Sequence, residues 1–386
     1  MQISNGYEIT IAKKIEQVEN LRDSWKKMQW HPNADIDFYS TLITVRESIV
    51  SPYVILLSHN HLAKTIFVGR IEDIYLDCKF GYKTIFRPKV KAINISYGGI
   101  LGDASLKNCK ILITEIIKLL SRGEADTVYL SNLHVDSDIY SMATKMPNVL
   151  CRDQLTSTNL HWGMSVPADI DEYFNNIDYK FRKNLRRAQR NIIKYYPGKI
   201  EMRGFHEVNE VDAFMYDAEL IAAKSYQRSM NVGFKHDYET RQLVTLAAQH
   251  GWFRGYILYI DNTPVAFERT TQYGKTLFCE NAAYDPAYKN GEPGTNLFLK
   301  LLENICSEKE IDYIDFGFGD AFYKKNFCNR VLQEKSVYIF APTFKGVLIN
   351  IIRMGINASS DIAENIANKL KITQKIKTYW RNQLNK

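Results

Sequence analysis

The chain has 386 residues, 45% of them hydrophobic and 24% charged, and a net charge of +7. That length suits two domains, and the composition is that of a soluble globular protein. No apolar run approaches the ~20 residues of a membrane span, and the start of the chain lacks the basic-then-apolar pattern of a secretory signal. The charge is uneven. Residues 179–200 hold eight bases and no acid, residues 343–386 hold eight bases and two acids, and the remainder is net acidic. A uniformly basic nucleic-acid binder is thereby excluded, and no DNA partner is expected.

In chain order, Tyr7–Ala12 reads as a strand and Ile15–Met28 as a helix, with Val18, Leu21 and Trp25 on one face. Phe38–Glu47 is a second helix. Tyr53–Leu57 and Thr65–Gly69 are strands on either side of a turn at His59–Asn60. Ile93–Tyr97 is a strand, Leu106–Leu120 an amphipathic helix, Thr127–Leu133 a strand, Ile139–Lys145 a short helix and Asn159–Val166 a closing strand. Phe181, Leu185, Ala188 and Ile192 mark the apolar face of a helix whose other faces are basic. Pro197–Gly198 stops it.

A second run follows. Lys199–Phe205 is a strand, and Val211–Tyr226 and Tyr238–His250 are helices. Trp252–Ile260 and Pro264–Gln272 form a hairpin around Asp261–Asn262. Leu277–Ala283 is a strand, Asp285–Thr295 a loop, and Leu297, Leu301, Leu302 and Ile305 recur at helical spacing. Tyr313–Phe316 is a strand ending at Gly317, Ala321–Phe327 one or two helical turns, and Glu334–Phe340 a last strand. The order hairpin, strand, long helix, strand, short helix, closing strand fits residues 53–166 and again 252–340. This predicts a duplicated domain. Only the second copy has a Pro–Gly loop and a run like Asp315–Lys324, so chemistry is expected there. The tail reads as two amphipathic helices interrupted near Gly355, with a basic end and the pair Tyr379–Trp380. It suits either docking on the domain or peripheral contact with an anionic membrane.

The six cysteines are scattered, with no CxxC, as in a reduced cytoplasmic protein. His59 and His61 lack a third ligand nearby, so no metal site is expected. The loop Gly291-Glu-Pro-Gly-Thr-Asn296 opens a helix after a strand, where unpaired N–H groups can hold a phosphate. Gly294 allows close backbone approach, and Thr295 can cap the helix or bond a phosphate oxygen. Pro293 and Glu292 count against such a nest, the one lacking an N–H and the other carrying negative charge. Asp315-Phe-Gly-Phe-Gly-Asp320 with Tyr323-Lys324 is the more specific signal. The DFG triplet does not indicate a kinase, because the preceding kinase motifs are missing. Glu268 and Glu280, each on a predicted strand, are candidate bases. The basic helix can be a solvated face, a phosphate-binding face or, least well supported, a nucleic-acid surface.

Asp315–Lys324, Pro293–Gly294 and Phe181-Arg-Lys-Asn-Leu-Arg-Arg187 resemble the corresponding motifs of the GNAT acyl-CoA transferases, in particular the CelD-like branch of polysaccharide gene clusters. The FemABX transferases are double-domain relatives. The resemblance implies an α+β fold of two tandem GNAT-like domains, each a mixed, mainly antiparallel sheet flanked by helices, with a helical tail. Its divisions are a degenerate first domain at 1–166, a basic linking helix at 167–198, the acyltransferase domain at 199–342 and the tail at 343–386. It further implies acetyl-CoA or another acyl-CoA as co-substrate, with no tightly bound cofactor, and an amine acceptor such as an amino sugar. Under the resemblance, Glu280 is the base and Tyr323 protonates the departing thiolate. The donor lies against Ala282, Ala283, Gly291, Gly294, Thr295, Asn296 and Lys324. Glu268, Asp320 and Arg186 bind the acceptor side. The alternatives are a FemX-like aminoacyltransferase fed by charged tRNA, without the coiled-coil insertion common in such chains, and a non-catalytic protein with a decayed cleft.

Overall fold

The computed structural model describes residues 2–3, 6–81, 83–153, 158–229, 232–319 and 322–369. They form two compact units. The first comprises Met1–Ile36, Arg46–Thr158 and Glu334–Lys386, and the second Asp37–Val45 and Asn159–Gln333.

The strands are β1 (Tyr7–Ala12), β2 (Ile49–His59), β3 (Leu62–Tyr75), β4 (Lys89–Gly102), β5 (Thr127–His134), β6 (Thr158–Ser165), β7 (Ile200–Phe205), β8 (Phe253–Ile260), β9 (Thr263–Tyr273), β10 (Thr276–Tyr284), β11 (Tyr313–Phe318) and β12 (Arg330–Phe340). The helices that matter to the site or its support are α1 (Leu106–Ser121), α2 (Asp138–Lys145), α3 (Ile170–Asn176), α4 (Tyr179–Tyr195), α5 (Val211–Ala222), α6 (Tyr238–Gln249), α7 (Pro293–Glu308), α8 (Phe322–Phe327) and α9 (Phe344–Lys369).

In the first unit the sheet order is β1-β2-β3-β4-β5-β12. All neighbours are antiparallel except β4 and β5, which α1 connects as a parallel crossover. Leu112, Ile116 and Leu120 of α1 pack on Ile55, Phe67, Ile93, Ile95 and Leu130 in one core. In the second unit the order is β6-β11-β10-β9-β8-β7, again antiparallel except β10 and β11, which α7 connects. Helices cover both faces here. Leu297, Leu301, Leu302 and Ile305 of α7 join Leu185 and Ile192 of α4 on one side. Phe214, Met215 and Ile221 of α5 pack with Ile257 and Phe267 on the other.

The repeated element order is thus a repeated sheet order. Even the hairpin turns match: Asn60 and His61 between β2 and β3, and Asp261 and Asn262 between β8 and β9, all have positive φ. This is the type I′ geometry that two-residue hairpins favour.

Several elements differ from expectation. The first helix breaks into Ile15–Glu19 and Arg22–Lys26 around Asn20, a residue that competes poorly for helix interiors. Asp285–Thr295 is not all loop: Pro286–Gly291 is a 3-10 turn and α7 starts at Pro293, a residue preset for a first helical position. The tail runs through Gly355 as one continuous helix. The largest difference is in the closing strands. Asn159–Val166 reads as the end of the first copy and Glu334–Phe340 as the end of the second. Instead β6 pairs with β11, and β12 pairs with β5. The hairpin of Cys78–Phe80 and Lys83–Phe86 adds to the elements that the sequence pattern marks.

Candidate active site

The parallel ladder between β10 and β11 is short. It joins Thr276–Phe278 to Tyr313–Asp315 and then stops. From Cys279 to Tyr284, β10 continues paired with β9 alone, so one of its edges faces the gap where β11 has turned away. The β9 ladder is itself irregular here. Arg269 faces Asn281 and Thr270 faces Cys279, which leaves Glu280 as the extra residue of a bulge. Bulges re-aim side chains and cluster beside active sites.

A pocket of about 200 Å³ opens at this place, lined by Glu268, Cys279, Glu280, Ala282, Phe316, Tyr323 and Lys324, with Gln227, Val232 and Gly233 at its rim. Glu268 stands on β9 opposite Ala282. Its carboxyl is enclosed, and burial pushes its pKa up to about 8. The Cys279 thiol, which donates to it, and the Lys324 cation oppose that rise without cancelling it. Burial, then the Glu268 carboxyl, raises the Cys279 pKa well above the usual thiol range, so a thiolate is disfavoured. Tyr323 is half-exposed as a residue, yet burial of its hydroxyl, then Glu268, raises its pKa. A tyrosine held in its protonated form is fit to donate a proton.

Glu280 takes a different environment. Its carboxylate is ion-paired with Arg269 and accepts from the Thr271 hydroxyl. Glu280 lines the pocket beside Glu268, but its carboxylate is already engaged by Arg269 and Thr271.

The turn after β11 is held from within. Lys324 is buried, and its ammonium donates to the carbonyls of Phe316 and Phe318 at 2.6 Å each. Asp315 is buried as well, bonded to His161 Nε2 at 2.7 Å, and its Oδ1 accepts from the Gly317 N–H. Gly317 and Gly319 have φ of +67° and +101°, in the region that disfavours side chains. The glycines of the sequence motif therefore make the turn, and its acid and lysine brace it.

The helix-opening loop lies apart from this cluster. Glu292 is the left-handed N-cap of α7, and its carboxylate meets Asn191 at 3.2 Å and Arg187 at 3.8 Å on α4. Thr295 is therefore not the cap but part of the first turn. Asn296 is buried, and its amide donates to the carbonyls of Ala188, Gly291 and Glu292, so it binds α4 to the turn. Gly291 is tight against Tyr196, with 2.8 Å from a built Cβ to the ring, whereas a Cβ on Gly294 meets only Tyr284 at 3.8 Å. Ala283 lies on β10 opposite Phe267. Arg186 belongs elsewhere: its guanidinium sits 3.9 Å over the Phe174 ring and lines a separate pocket of about 380 Å³ with Gln189 and Lys300. Asp320 lies outside the described residues. Cys279 and His161 are contributors that no spacing in the sequence marks.

The first unit has no matching acid. Counted from the hairpin turns, Phe67 stands where Glu268 stands, and Ile95 where Cys279 stands. Both are fully buried in the core.

Residues 179–325, from α4 into α8, match the family model for the acetyltransferase (GNAT) domain. They form a GNAT domain of the acyltransferase type. No curated protein sequence matches the chain. Among solved structures, FemX aligns with a TM-score of 0.58 at 9% identity, over 89% of this chain and 100% of its own. L-PGS from Bacillus licheniformis aligns at 0.50 and 10%, over 87% and 96%. A conserved protein from Bacteroides thetaiotaomicron VPI-5482 aligns at 0.50 and 12%, over 86% and 100%. Such identities speak for fold alone. The likeness extends beyond the GNAT domain to most of the chain.

Proposed function

We propose that the second unit transfers an acyl group from an acyl-CoA, in the first instance acetyl-CoA, to an amine by direct attack on the thioester. The observation that carries this reading is the Glu268 carboxyl, with its pKa near 8, in the pocket where β10 and β11 part. A base tuned to about neutral pH suits an ammonium that must lose a proton before it attacks. Glu268 takes that proton, a role the sequence alone assigned to Glu280. Tyr323 gives a proton to the departing thiolate. The exposed edge of β10 from Cys279 to Ala283 offers backbone groups to the pantetheine arm and an N–H to the carbonyl oxygen. The raised thiol pKa of Cys279 speaks against an acyl-cysteine intermediate. An amino sugar destined for a surface polysaccharide is the acceptor class suggested by the CelD-like motifs.

Tyr323→Phe should lower kcat roughly 10²-fold while leaving donor affinity unchanged. Equal loss of both would make Tyr323 a packing residue. The donor itself is tested by calorimetric titration with acetyl-CoA. Micromolar binding is expected, and Gly294→Trp, which covers the first N–H groups of α7 without meeting backbone, should abolish it. If the unaltered protein binds no acetyl-CoA, this donor is wrong.

A second reading has its own support. The N-cap of α7 is the acidic Glu292, whose carboxylate is turned to Asn191 and Arg187, and Lys180, Lys183, Arg187, Arg190 and Lys194 stand exposed along α4. An extended phosphate backbone, as in a charged tRNA, fits that helix as well as a pyrophosphate does. Under this reading the same Glu268 would serve an aminoacyl donor.

A further inference from the structure

Helix α9 presents an unusual outward face. Among its exposed positions, Phe344, Leu348, Ile351, Gly355, Ser359, Ile362 and Ile366 recur every three or four residues as one stripe, with Lys345, Asn365 and Lys369 the other exposed ones among the described residues of the helix. A solvated helix face ordinarily carries charge. Here the outward stripe is apolar or small over about 33 Å of helix, at 1.5 Å per residue. Its large members are well exposed: Phe344 is 85% exposed, Ile362 60% and Ile366 53%. The opposite face is anchored to the first unit. Asn350 is fully buried and donates to the carbonyls of Leu150 and Arg152 at 3.0 Å, and Arg353 is ion-paired with Asp153. The anchoring holds the stripe outward.

We propose that this stripe lies flat on an anionic lipid surface. The sequence beyond α9 supplies the second signal such a contact requires. Residues 370–386 contain Lys371, Lys375, Lys377, Arg381 and Lys386, no acid, and the pair Tyr379–Trp380. Modest apolar insertion together with a basic segment is the combination that binds anionic bilayers, and Trp and Tyr favour the interface. No helix among the described residues is long and apolar enough to cross a membrane, so α9 rests on the surface. A second copy of the chain is a poorer occupant. A parallel seam would bring two basic tails together, and Gly355 with Ser359 would leave its middle unfilled.

The test is sedimentation of the full chain with vesicles of phosphatidylcholine containing phosphatidylglycerol, beside vesicles of phosphatidylcholine alone. The protein should bind the anionic vesicles at least tenfold more tightly, and salt should weaken that binding. Ile362→Asn with Ile366→Asn, at exposed positions that leave the core untouched, should lower anionic binding about tenfold. Lys371→Glu, Lys375→Glu and Lys377→Glu together should remove the anionic preference. Circular dichroism confirms the fold of each variant. Absence of binding to anionic vesicles overturns the proposal, as does binding that the isoleucine changes leave intact. A dimer dissolved by those changes would give the stripe to a second copy instead. Neither isoleucine belongs to the acyl-transfer site, and vesicle binding is read without turnover, so the outcome is independent of that reading.

Discussion

Glu268→Gln is expected to lower kcat/KM by about 10²–10⁴-fold and to erase the rising limb of its pH profile. In the unaltered protein the rate should rise with pH through a pKa near 8, because only the ionised carboxylate can accept the proton of the attacking amine. The same substitution should affect stability in the opposite direction. The folded-state pKa of Glu268 is raised from 4.5 to about 8. Between those values the folded protein holds a proton that the unfolded chain has released. Stability therefore falls as pH climbs through that window, by on the order of 5 kcal/mol for the full shift. Glutamine stays neutral throughout. The variant should thus be closest to the unaltered protein at pH 5 and clearly the more stable of the two at pH 9. Urea unfolding at both values measures this, and an equal difference at the two pH values would remove Glu268 from the buried-base role. Glu280→Gln provides the control, since the limb near pH 8 should survive it.

Lys324→Met is expected to cost about 1–3 kcal/mol of stability and to shift the activity profile upward in pH. Methionine fills a similar space but leaves the Phe316 and Phe318 carbonyls without their donor. Relief from burying an ammonium, whose pKa burial depresses, offsets part of that loss. The cation also lowers the Glu268 pKa, so its removal should move the midpoint of the rising limb above pH 8. A purely structural lysine would change the melting temperature and leave the limb in place. Reading both quantities on the same variant separates bracing from electrostatics.

Much of the fold could be read from local pattern. Strand-like runs bounded by turn residues marked β8 to β10, and Asp261–Asn262 marked the hairpin turn between the first two. The apolar positions Phe181, Leu185, Ala188 and Ile192 laid out the inner face of α4. Strand partners were not legible, because period-two alternation says which face is buried but not which neighbour a strand joins. The closing strands β6 and β12 were misplaced for that reason. The site was legible in outline only. Glu268 and Glu280 look alike as strand acids until the bulge at Glu280 is known. Lys324 and Asn296 read as ligand groups because each adjoins a loop motif. Pairing with backbone carbonyls is a three-dimensional fact. His161 is bonded to Asp315 across 154 residues of sequence, a separation no local motif can bridge.

The placement of the closing strands also bears on how such a chain is made and kept. A ribosome delivers residues in order, and the sheet of the first unit lacks β12 until residue 340 has emerged. Until then the open edge of β5 is available to any other strand, which is the circumstance that invites misassembly and calls for a chaperone. The sheet of the second unit, for its part, begins with β6, encoded before the family-matched segment. Trimming the gene to that segment would remove β6 from the side of β11. Deleting the apolar first copy up to residue 157 would spare β6 but leave β12, which follows the second unit in the chain, without its partner β5.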